Sequence, residues 1–155
     1  MFRPALSWVT EVAQVKTLPA GHTIGYGNTY TTSQPTRVAL VPTGYGDGYR
    51  RGPQNYGYVL VGGARCPILG RVSMEKTMVD VGPAEKTSGA PVKVGDQVVL
   101  IGRQGDEELS ADEVAYRAGT NNYEVATSTL PQARRTFVHT ASDGRVSKPY
   151  TPEDA

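Results

Sequence analysis

A pair of glycines between two β-rich runs restricts the fold of this chain more than any other feature. Residues 58–61 (Tyr-Val-Leu-Val) precede Gly62-Gly63, and residues 64–69 follow them. Glycine adopts the positive φ angles that a primed two-residue turn needs, so the arrangement favours a β-hairpin. Short strands joined in this way indicate an antiparallel, all-β domain.

Further β-rich runs are separated by turns that contain glycine or proline. The chain has 18 glycines and 11 prolines among its 155 residues, enough to supply many turns. We predict one strand with a bulge near Glu11 for residues 5–16, and a loop for residues 83–91. About eight strands of this kind are typical of a Greek-key-like β-barrel or sandwich. The other predicted strands cover residues 36–42, 77–81, 98–102 and 135–138.

One or two short helices are expected within this β pattern. Ser110 and Glu113 form a capping-box signature, in which the serine is the N-cap and the glutamate occupies the third helical position. Apolar residues follow at helical spacing, and Gly119 is suited to end the helix. A second short helical piece is predicted to begin near residues 122–124.

The charge balance and the cysteine count exclude several classes of function. Sixteen Lys and Arg residues against fifteen Asp and Glu residues argue against nucleic acid or an acidic membrane as the main partner. The single cysteine, Cys66, fits a reducing compartment, and two distant histidines, His22 and His139, make a poor metal site. No signal peptide or long apolar run is recognisable. We therefore expect a cytoplasmic protein with no metal, ending in a flexible tail over residues 139–155.

The first candidate functional side chain is Tyr26, which lies between Gly25 and Gly27. Glycine on both sides keeps neighbouring Cβ atoms away, so the phenol can be presented in a cleft. Tyrosine titrates near pH ~10 and needs a cation or hydrogen-bond donor nearby to act as a base at neutral pH. The local sequence supplies no such neighbour. Acid–base catalysis and simple packing of the ring on a sheet both remain open.

A second glycine-flanked tyrosine occurs in residues 44–49 (Gly-Tyr-Gly-Asp-Gly-Tyr). The glycine spacing matches neither a Walker A loop nor a dinucleotide fingerprint, so nucleotide binding is poorly supported. Tyr45, with Arg50 and Arg51 after it, either lines the opening of an anionic substrate site or belongs to an ordinary solvated loop.

Three further residues have a structural and a functional interpretation. Met74 is either core filler or a residue whose backbone N–H faces a ligand carboxylate. Tyr123, close to a predicted helix start, either packs and caps or donates to a phosphate. Cys66, beside a proline in a strand, is expected to be a small buried residue rather than a nucleophile.

Taken together, these motifs resemble the C-terminal β-domain of alanine racemase, a pyridoxal-phosphate enzyme that supplies D-alanine for bacterial peptidoglycan precursors. Six motifs occur in the order of the family, which is far more specific than any one of them. The resemblance extends from about residue 3 to residue 138. It rests on residues 3–7, 25–30, 44–49, 67–74, 100–106 and 122–125.

The resemblance implies a two-base mechanism, in which a cofactor-bearing lysine and a tyrosine work on opposite faces of alanine. Tyr26 matches that tyrosine and would act on the L-alanine side. The backbone N–H of Met74 would contact the substrate carboxylate, and Tyr123 would reach the phosphate of pyridoxal phosphate. The residues that match the family's entrance corridor are Tyr45, Arg51 and Arg71.

The family also implies partners for this chain. The site forms across a head-to-tail homodimer, so Tyr26 and Met74 would serve the cofactor held by the partner chain. An N-terminal barrel domain carries the cofactor lysine, and its motif (Val-Lys-Ala-Asn-Ala-Tyr-Gly) is absent from this sequence. We therefore expect the chain to be inactive alone. The five lysines, none of which has that context, are Lys16, Lys76, Lys86, Lys93 and Lys148.

Departures from the family pattern leave alternatives open. The family commonly has Cys-Met-Asp-Gln where this chain has residues 73–76 (Ser-Met-Glu-Lys), and Cys66 stands at a position where alanine is usual. The alternative function is a non-catalytic β-barrel binding or dimerisation module derived from the same scaffold. The sequence does not decide between alanine, serine and another small amino acid as the substrate.

Overall fold

A computed structural model of the chain describes residues 4–130 and 133–138. The predicted tail at 139–155 lies outside these residues. The strands are β1 Trp8–Glu11, β2 Gln14–Leu18, β3 Thr23–Ile24, β4 Tyr30–Thr31, β5 Thr36–Val41, β6 Tyr58–Val61, β7 Ala64–Pro67, β8 Thr77–Asp80, β9 Gln97–Gln104 and β10 Glu107–Leu109. The helices are a 3₁₀ turn at Tyr45–Asp47 and α1 Gly82–Ser88, α2 Ala111–Ala118 and α3 Asn122–Ser128.

All strand pairs are antiparallel, and they form three sheets. The largest has the order β1-β9-β6-β7 with β10 also paired to β9, the second is β2-β5-β8, and the third is the short β3-β4 ribbon. The predicted all-β class is confirmed, and a sandwich describes it best. Among the described residues the three sheets do not join into a closed barrel, and three α-helices are present rather than one or two.

The predicted hairpin and both predicted helices in residues 110–128 are confirmed. Val61 pairs with Ala64 across a turn in which Gly62 and Gly63 have φ values of 56° and 74°. The Ser110 side chain accepts a hydrogen bond from the Glu113 backbone N–H at 3.1 Å, as the capping signature requires. These features are set by residues close in sequence, which explains why pattern alone identified them.

The prediction of one bulged strand over residues 5–16 is wrong. β1 pairs with β9 whereas β2 pairs with β5, so the chain passes from one sheet to another between them. The Val12 backbone N–H donates to the Asp96 carbonyl, and the Ala13 N–H donates to the Leu40 carbonyl, both at 2.9 Å. Val12 is buried at this crossing, and an apolar residue in a β-rich run does not reveal such a change of sheet.

Two other predicted segments also differ. The expected loop at residues 83–91 contains α1, which starts beside Pro83 and buries Ala84. Proline is suited to the first turn of a helix because its missing N–H has no intrahelical partner there. Residues 135–138 contain an isolated bridge at Phe137 rather than a strand.

The main core is built largely from valine and other small apolar residues of the two larger sheets. An aromatic stack extends it: Trp8 meets Tyr49 edge-on at 5.8 Å, and Tyr49 stacks on Tyr56 at 6.4 Å between ring centroids. The Tyr56 hydroxyl donates to the Arg50 carbonyl at 2.5 Å. This stack fixes the chain that follows the 3₁₀ turn against the sheet.

An ionic cluster fastens the hairpin to β10 and α2. Arg65 on β7 donates to Glu107 at 2.7 Å and to Glu113 at 2.5 Å, and Arg117 donates to Glu113 at 3.2 Å. The hydrogen bond from Arg65 is the main reason why the pKa of the Glu113 carboxyl is lowered from its ordinary value. Arg117 also lies 4.7 Å from the ring centre of Tyr58.

Replacing Glu113 by glutamine is expected to lower the free energy of unfolding at pH 7 by about 1.5–3 kcal/mol, the range for hydrogen bonds to charged groups. Because the folded pKa lies below the unfolded value of 4.5, the stabilisation is complete above that pH and is lost as the pH falls through the folded pKa. Urea unfolding of the two proteins at pH 7 and at pH 3 measures the loss of stability and its decrease at low pH. An equal difference between the two proteins at both pH values would contradict the prediction.

None of the helices in residues 4–130 and 133–138 has the length and apolar character that crossing a bilayer requires.

Candidate active site

Tyr26 lies at the exposed tip between β3 and β4. Gly25, Gly27 and Asn28 have φ values of 82°, 76° and 50°, so the predicted positive φ of the glycines is present. The Asn28 backbone N–H donates to the Gly25 carbonyl at 3.1 Å, which closes a tight turn beneath the tyrosine. The Tyr26 side chain is 68% exposed. The turn thus presents the phenol outward rather than packing it on a sheet.

Two glycines bring Arg71 next to this turn. A Cβ atom on Gly25 would lie 2.9 Å from the Arg71 backbone nitrogen, and a Cβ on Gly70 would lie 2.8 Å from the Ile24 carbonyl oxygen. Real side chains do not fit at such distances, so glycine at both positions allows the two backbones to touch. The Arg71 guanidinium is held by the Gln54 side-chain oxygen at 3.0 Å.

The second tyrosine loop packs against the segment that carries Met74. The Tyr45 N–H donates to the Ser73 carbonyl at 3.0 Å, and the Gly46 N–H donates to the Met74 carbonyl at 2.7 Å. Asp47 closes the loop by accepting from the Gly44 N–H at 2.9 Å. Within the described part of the chain the Met74 N–H has no acceptor, and Met74 is 57% exposed. A ligand carboxylate could therefore reach this N–H.

The same loop is also tied to α3, where Tyr123 lies. The Ser128 hydroxyl donates to the Gly48 carbonyl, and the Leu130 N–H donates to the Asp47 carbonyl, each at 3.1 Å. Asn121 caps α3 by accepting from the Glu124 N–H at 2.9 Å. Tyr123 is 79% exposed at the first turn of this helix.

Arg51 lines an open cavity of about 410 Å³ between the tyrosine loop and α3. Tyr45, Arg50 and Glu124 line it as well, and Arg50 pairs with Glu124 at 2.7 Å. Arginine at this opening favours a small anion over a cation. The six predicted site residues thus lie on segments that contact or hydrogen-bond one another in turn across the fold. Tyr26 and Arg71 lie at one end of this series, and Tyr123 lies at the other.

The buried thiol, the buried phenols and the possible metal ligands of the described residues are less suited to catalysis than the exposed site residues. Burial raises the pKa of the Cys66 thiol to about 11, so little of it is thiolate near neutrality. Burial also raises the pKa values of the Tyr49 and Tyr56 phenols, which form part of the core. The described residues contain no group of three or more His, Cys, Asp or Glu side chains placed to hold a metal.

Sequence reasoning missed Asn55, which contacts both the Tyr26 turn and the Gly70 segment. Its φ of 52° is unusual for a residue other than glycine. The Asn-Tyr-Gly sequence at residues 55–57 was the available signal, because asparagine tolerates the left-handed region.

Comparisons with known proteins all point to one family. The family model described as "Alanine racemase, C-terminal domain" matches residues 5–137. Alanine racemase of Cutibacterium acnes is 48% identical over 135 residues, which cover 87% of this chain and 35% of that protein. The protein of the same name from Symbiobacterium thermophilum is 51% identical over 122 residues, covering 79% and 31%. The chain spans about a third of the length of these curated relatives.

Solved structures give the same result. The crystal structure of alanine racemase from Bacillus anthracis with bound L-Ala-P superposes with a TM-score of 0.83 at 39% identity, covering 98% of this chain and 36% of that one. A Clostridium difficile alanine racemase in complex with cycloserine gives a TM-score of 0.77 at 30% identity, covering 96% and 36%.

Proposed function

This chain belongs to the family of alanine racemase C-terminal domains, and from that membership we propose that it supplies the tyrosine base of an enzyme that interconverts L- and D-alanine. The observation that carries the proposal is the placement of Tyr26 on an exposed turn whose backbone touches Arg71. Such a phenol is available to a substrate and lies beside a segment that carries a cation. The Arg71 guanidinium itself donates to the Gln54 side-chain oxygen at 3.0 Å.

Each of the other site residues has a binding role in this proposal. The Met74 N–H donates a hydrogen bond to the substrate carboxylate, and the Tyr123 hydroxyl donates one to the phosphate of the cofactor. Tyr45, Arg51 and Arg71 line the approach, where the two guanidinium groups draw in a small carboxylate. Tyr26 removes or returns the α-proton on the L-alanine side. None of these roles needs the side chain to be buried in this domain.

Pyridoxal phosphate fits this chain only in part. Tyr123 offers a phenolic donor for its phosphate, but the lysines of the described residues, Lys16, Lys76, Lys86 and Lys93, are all exposed. A lysine that bonds covalently to the cofactor is typically desolvated so that its amine is neutral. When bound, the cofactor withdraws electrons from the α-carbon and so makes its proton removable. We therefore assign the attachment lysine to a preceding N-terminal domain.

The partners follow from the same assignment. An N-terminal barrel domain holds the cofactor, and a homodimer brings Tyr26 and Met74 of one chain to the cofactor of the other. The exposed positions of Tyr26, Met74 and Tyr123 support this arrangement, because they leave room for polypeptide from elsewhere.

Two proteins test the proposal. The 155-residue chain with added pyridoxal phosphate is expected to show no racemisation, because the lysines of the described residues are all exposed and the family's cofactor-lysine motif is absent from the sequence. A chimaera, in which these residues replace the matched third of the Cutibacterium acnes protein, is expected to racemise alanine. Conversion of L-alanine to D-alanine is measured by chiral chromatography, with the unmodified relative as the positive control.

Activity of the chimaera also distinguishes a racemase domain from the alternative, a non-catalytic module. A folded, dimeric chimaera without activity would indicate a non-catalytic binding or dimerisation module. Activity of the isolated chain would overturn the assignment of the lysine to another domain. Comparing alanine with serine in the active chimaera determines which substrate is preferred.

A further inference from the structure

Asn55 joins the two segments that carry Tyr26 and Arg71. Its side-chain nitrogen donates to the Thr29 carbonyl at 2.9 Å, and its side-chain oxygen accepts from the Gly70 N–H at 2.5 Å. Its own backbone N–H donates to the Gly70 carbonyl at 2.9 Å. One residue therefore makes three hydrogen bonds, and both the oxygen and the nitrogen of its side-chain amide are used.

The backbone of Asn55 suits this bridging position. Its φ of 52° lies in the left-handed region, which asparagine visits more readily than most residues other than glycine. Glycine would tolerate the same φ but would lack the amide that spans the two segments. Aspartate would keep an oxygen for the Gly70 N–H but would place a second oxygen against the Thr29 carbonyl. Asparagine alone of these three satisfies both segments.

The bridge is placed where small movements matter. Gly25 and Gly70 are in backbone contact, so the Tyr26 turn rests on the segment that Asn55 holds. Gln54, the preceding residue, orients the Arg71 guanidinium. A shift of the loop at residues 54–55 would therefore move the phenol and the guanidinium relative to each other.

We propose that Asn55 is a positioning residue that sets the placement of the Tyr26 phenol for proton transfer. The inference rests on the proposed function of Tyr26. Water can replace the exposed hydrogen bond to the Thr29 carbonyl, whereas the Gly70 N–H lies in a buried residue and would be left without an acceptor. Asn55→Gly should therefore lower the melting temperature as well as move the turn, and Asn55→Asp, which keeps the acceptor for Gly70, should move the turn with little change in the melting temperature.

Amide hydrogen exchange in the 155-residue chain tests the bridge directly. Asn55→Gly should speed exchange at Gly70 N–H and at Asn28 N–H by at least about tenfold, since local opening sets these rates. Asn55→Asp should speed only Asn28, because it keeps the acceptor for Gly70. The matched control is Glu85→Ala, which removes a side chain that accepts from Arg37 and from the Val92 N–H in a different part of the fold. It should leave both rates unchanged.

Activity of the chimaera tests what the bridge does. Asn55→Gly should lower kcat for racemisation by on the order of 10–100-fold, as misplacement of a reacting group does, with little change in KM. Deuterium incorporation from D₂O into D-alanine should fall much less, because the base on that face is not in this chain. A merely structural defect would lower both activities by the same factor.

Two results would overturn the inference. Unchanged exchange at Gly70 and Asn28 in Asn55→Gly would show that the bridge does not hold the segments. Faster exchange with an unchanged ratio of racemisation to deuterium incorporation would show that holding them does not position Tyr26. If Tyr26→Phe itself leaves racemisation intact, the proposed function fails instead, and the exchange rates still decide whether Asn55 holds the turn.

Discussion

Replacing Tyr26 by phenylalanine in the active chimaera is expected to lower racemisation by about 10²–10⁴-fold, the usual contribution of a positioned acid or base. This corresponds to roughly 3–5 kcal/mol of lost barrier reduction. Tyr26 is 68% exposed and its hydroxyl has no hydrogen-bond partner among the described residues, so removing one oxygen should not disturb the fold. Racemisation in both directions and the melting temperature are the two measurements.

The matched control is Tyr116→Phe on α2. Tyr116 is 86% exposed and has no role in the proposed site, so the same chemical change should leave turnover as it was. In the Tyr26 variant, deuterium incorporation into D-alanine should persist without formation of L-alanine. Racemisation at the original rate by the Tyr26 variant would eliminate this phenol as the base.

Replacing Gly48 by alanine is expected to cost about 3–5 kcal/mol of unfolding free energy, which is at the upper end for a single substitution. Gly48 has a φ of 99°, and a Cβ atom there would lie 2.0 Å from the Ser128 carbonyl oxygen. Neither backbone can yield cheaply, because Ser128 also bonds the Gly48 carbonyl and Leu130 bonds Asp47. The substitution should separate the tyrosine loop from α3.

Gly89→Ala provides the comparison for this prediction. Gly89 ends α1 with a φ of 68°, and a Cβ atom there would meet nothing within 4 Å. Its cost should be only the left-handed conformation itself, about 1–2 kcal/mol. Urea unfolding of both variants separates steric clash from backbone strain. Equal losses in the two variants would mean that the contact with Ser128 is unimportant.

The parts of the fold that sequence predicted are those decided by neighbouring residues. Gly62-Gly63 specifies its turn whatever the remainder of the chain does, and Ser110 caps α2 through a bond three residues away. The passage at Val12 from one sheet to another depends on Asp96 and Leu40, which no local pattern reveals. Helix α1 was missed because a proline at its start looks like a loop signal.

The candidate site divides in the same way. The glycines around Tyr26 identified an exposed turn, because positive φ is a property of single residues. Gly44 and Gly46 beside Tyr45 lack positive φ and instead allow close approach to the carbonyls of Ser73 and Met74, which are distant in sequence. The contact between Gly25 and Gly70 and the bridge made by Asn55 join segments that are distant in sequence. Their geometry follows from how the β3-β4 ribbon rests on the chain after β7, so it became visible only in the structure.

The pairing of β1 with β9 has a consequence for the order of events during synthesis. Trp8–Glu11 leaves the ribosome before every other strand of its sheet, whereas its partner Gln97–Gln104 emerges after all of them except β10. At ordinary translation rates of about 5–20 residues per second, β1 waits for several seconds or more with its backbone groups unpaired. A nascent chain stalled before residue 97 should therefore be a client for chaperones that bind exposed strands.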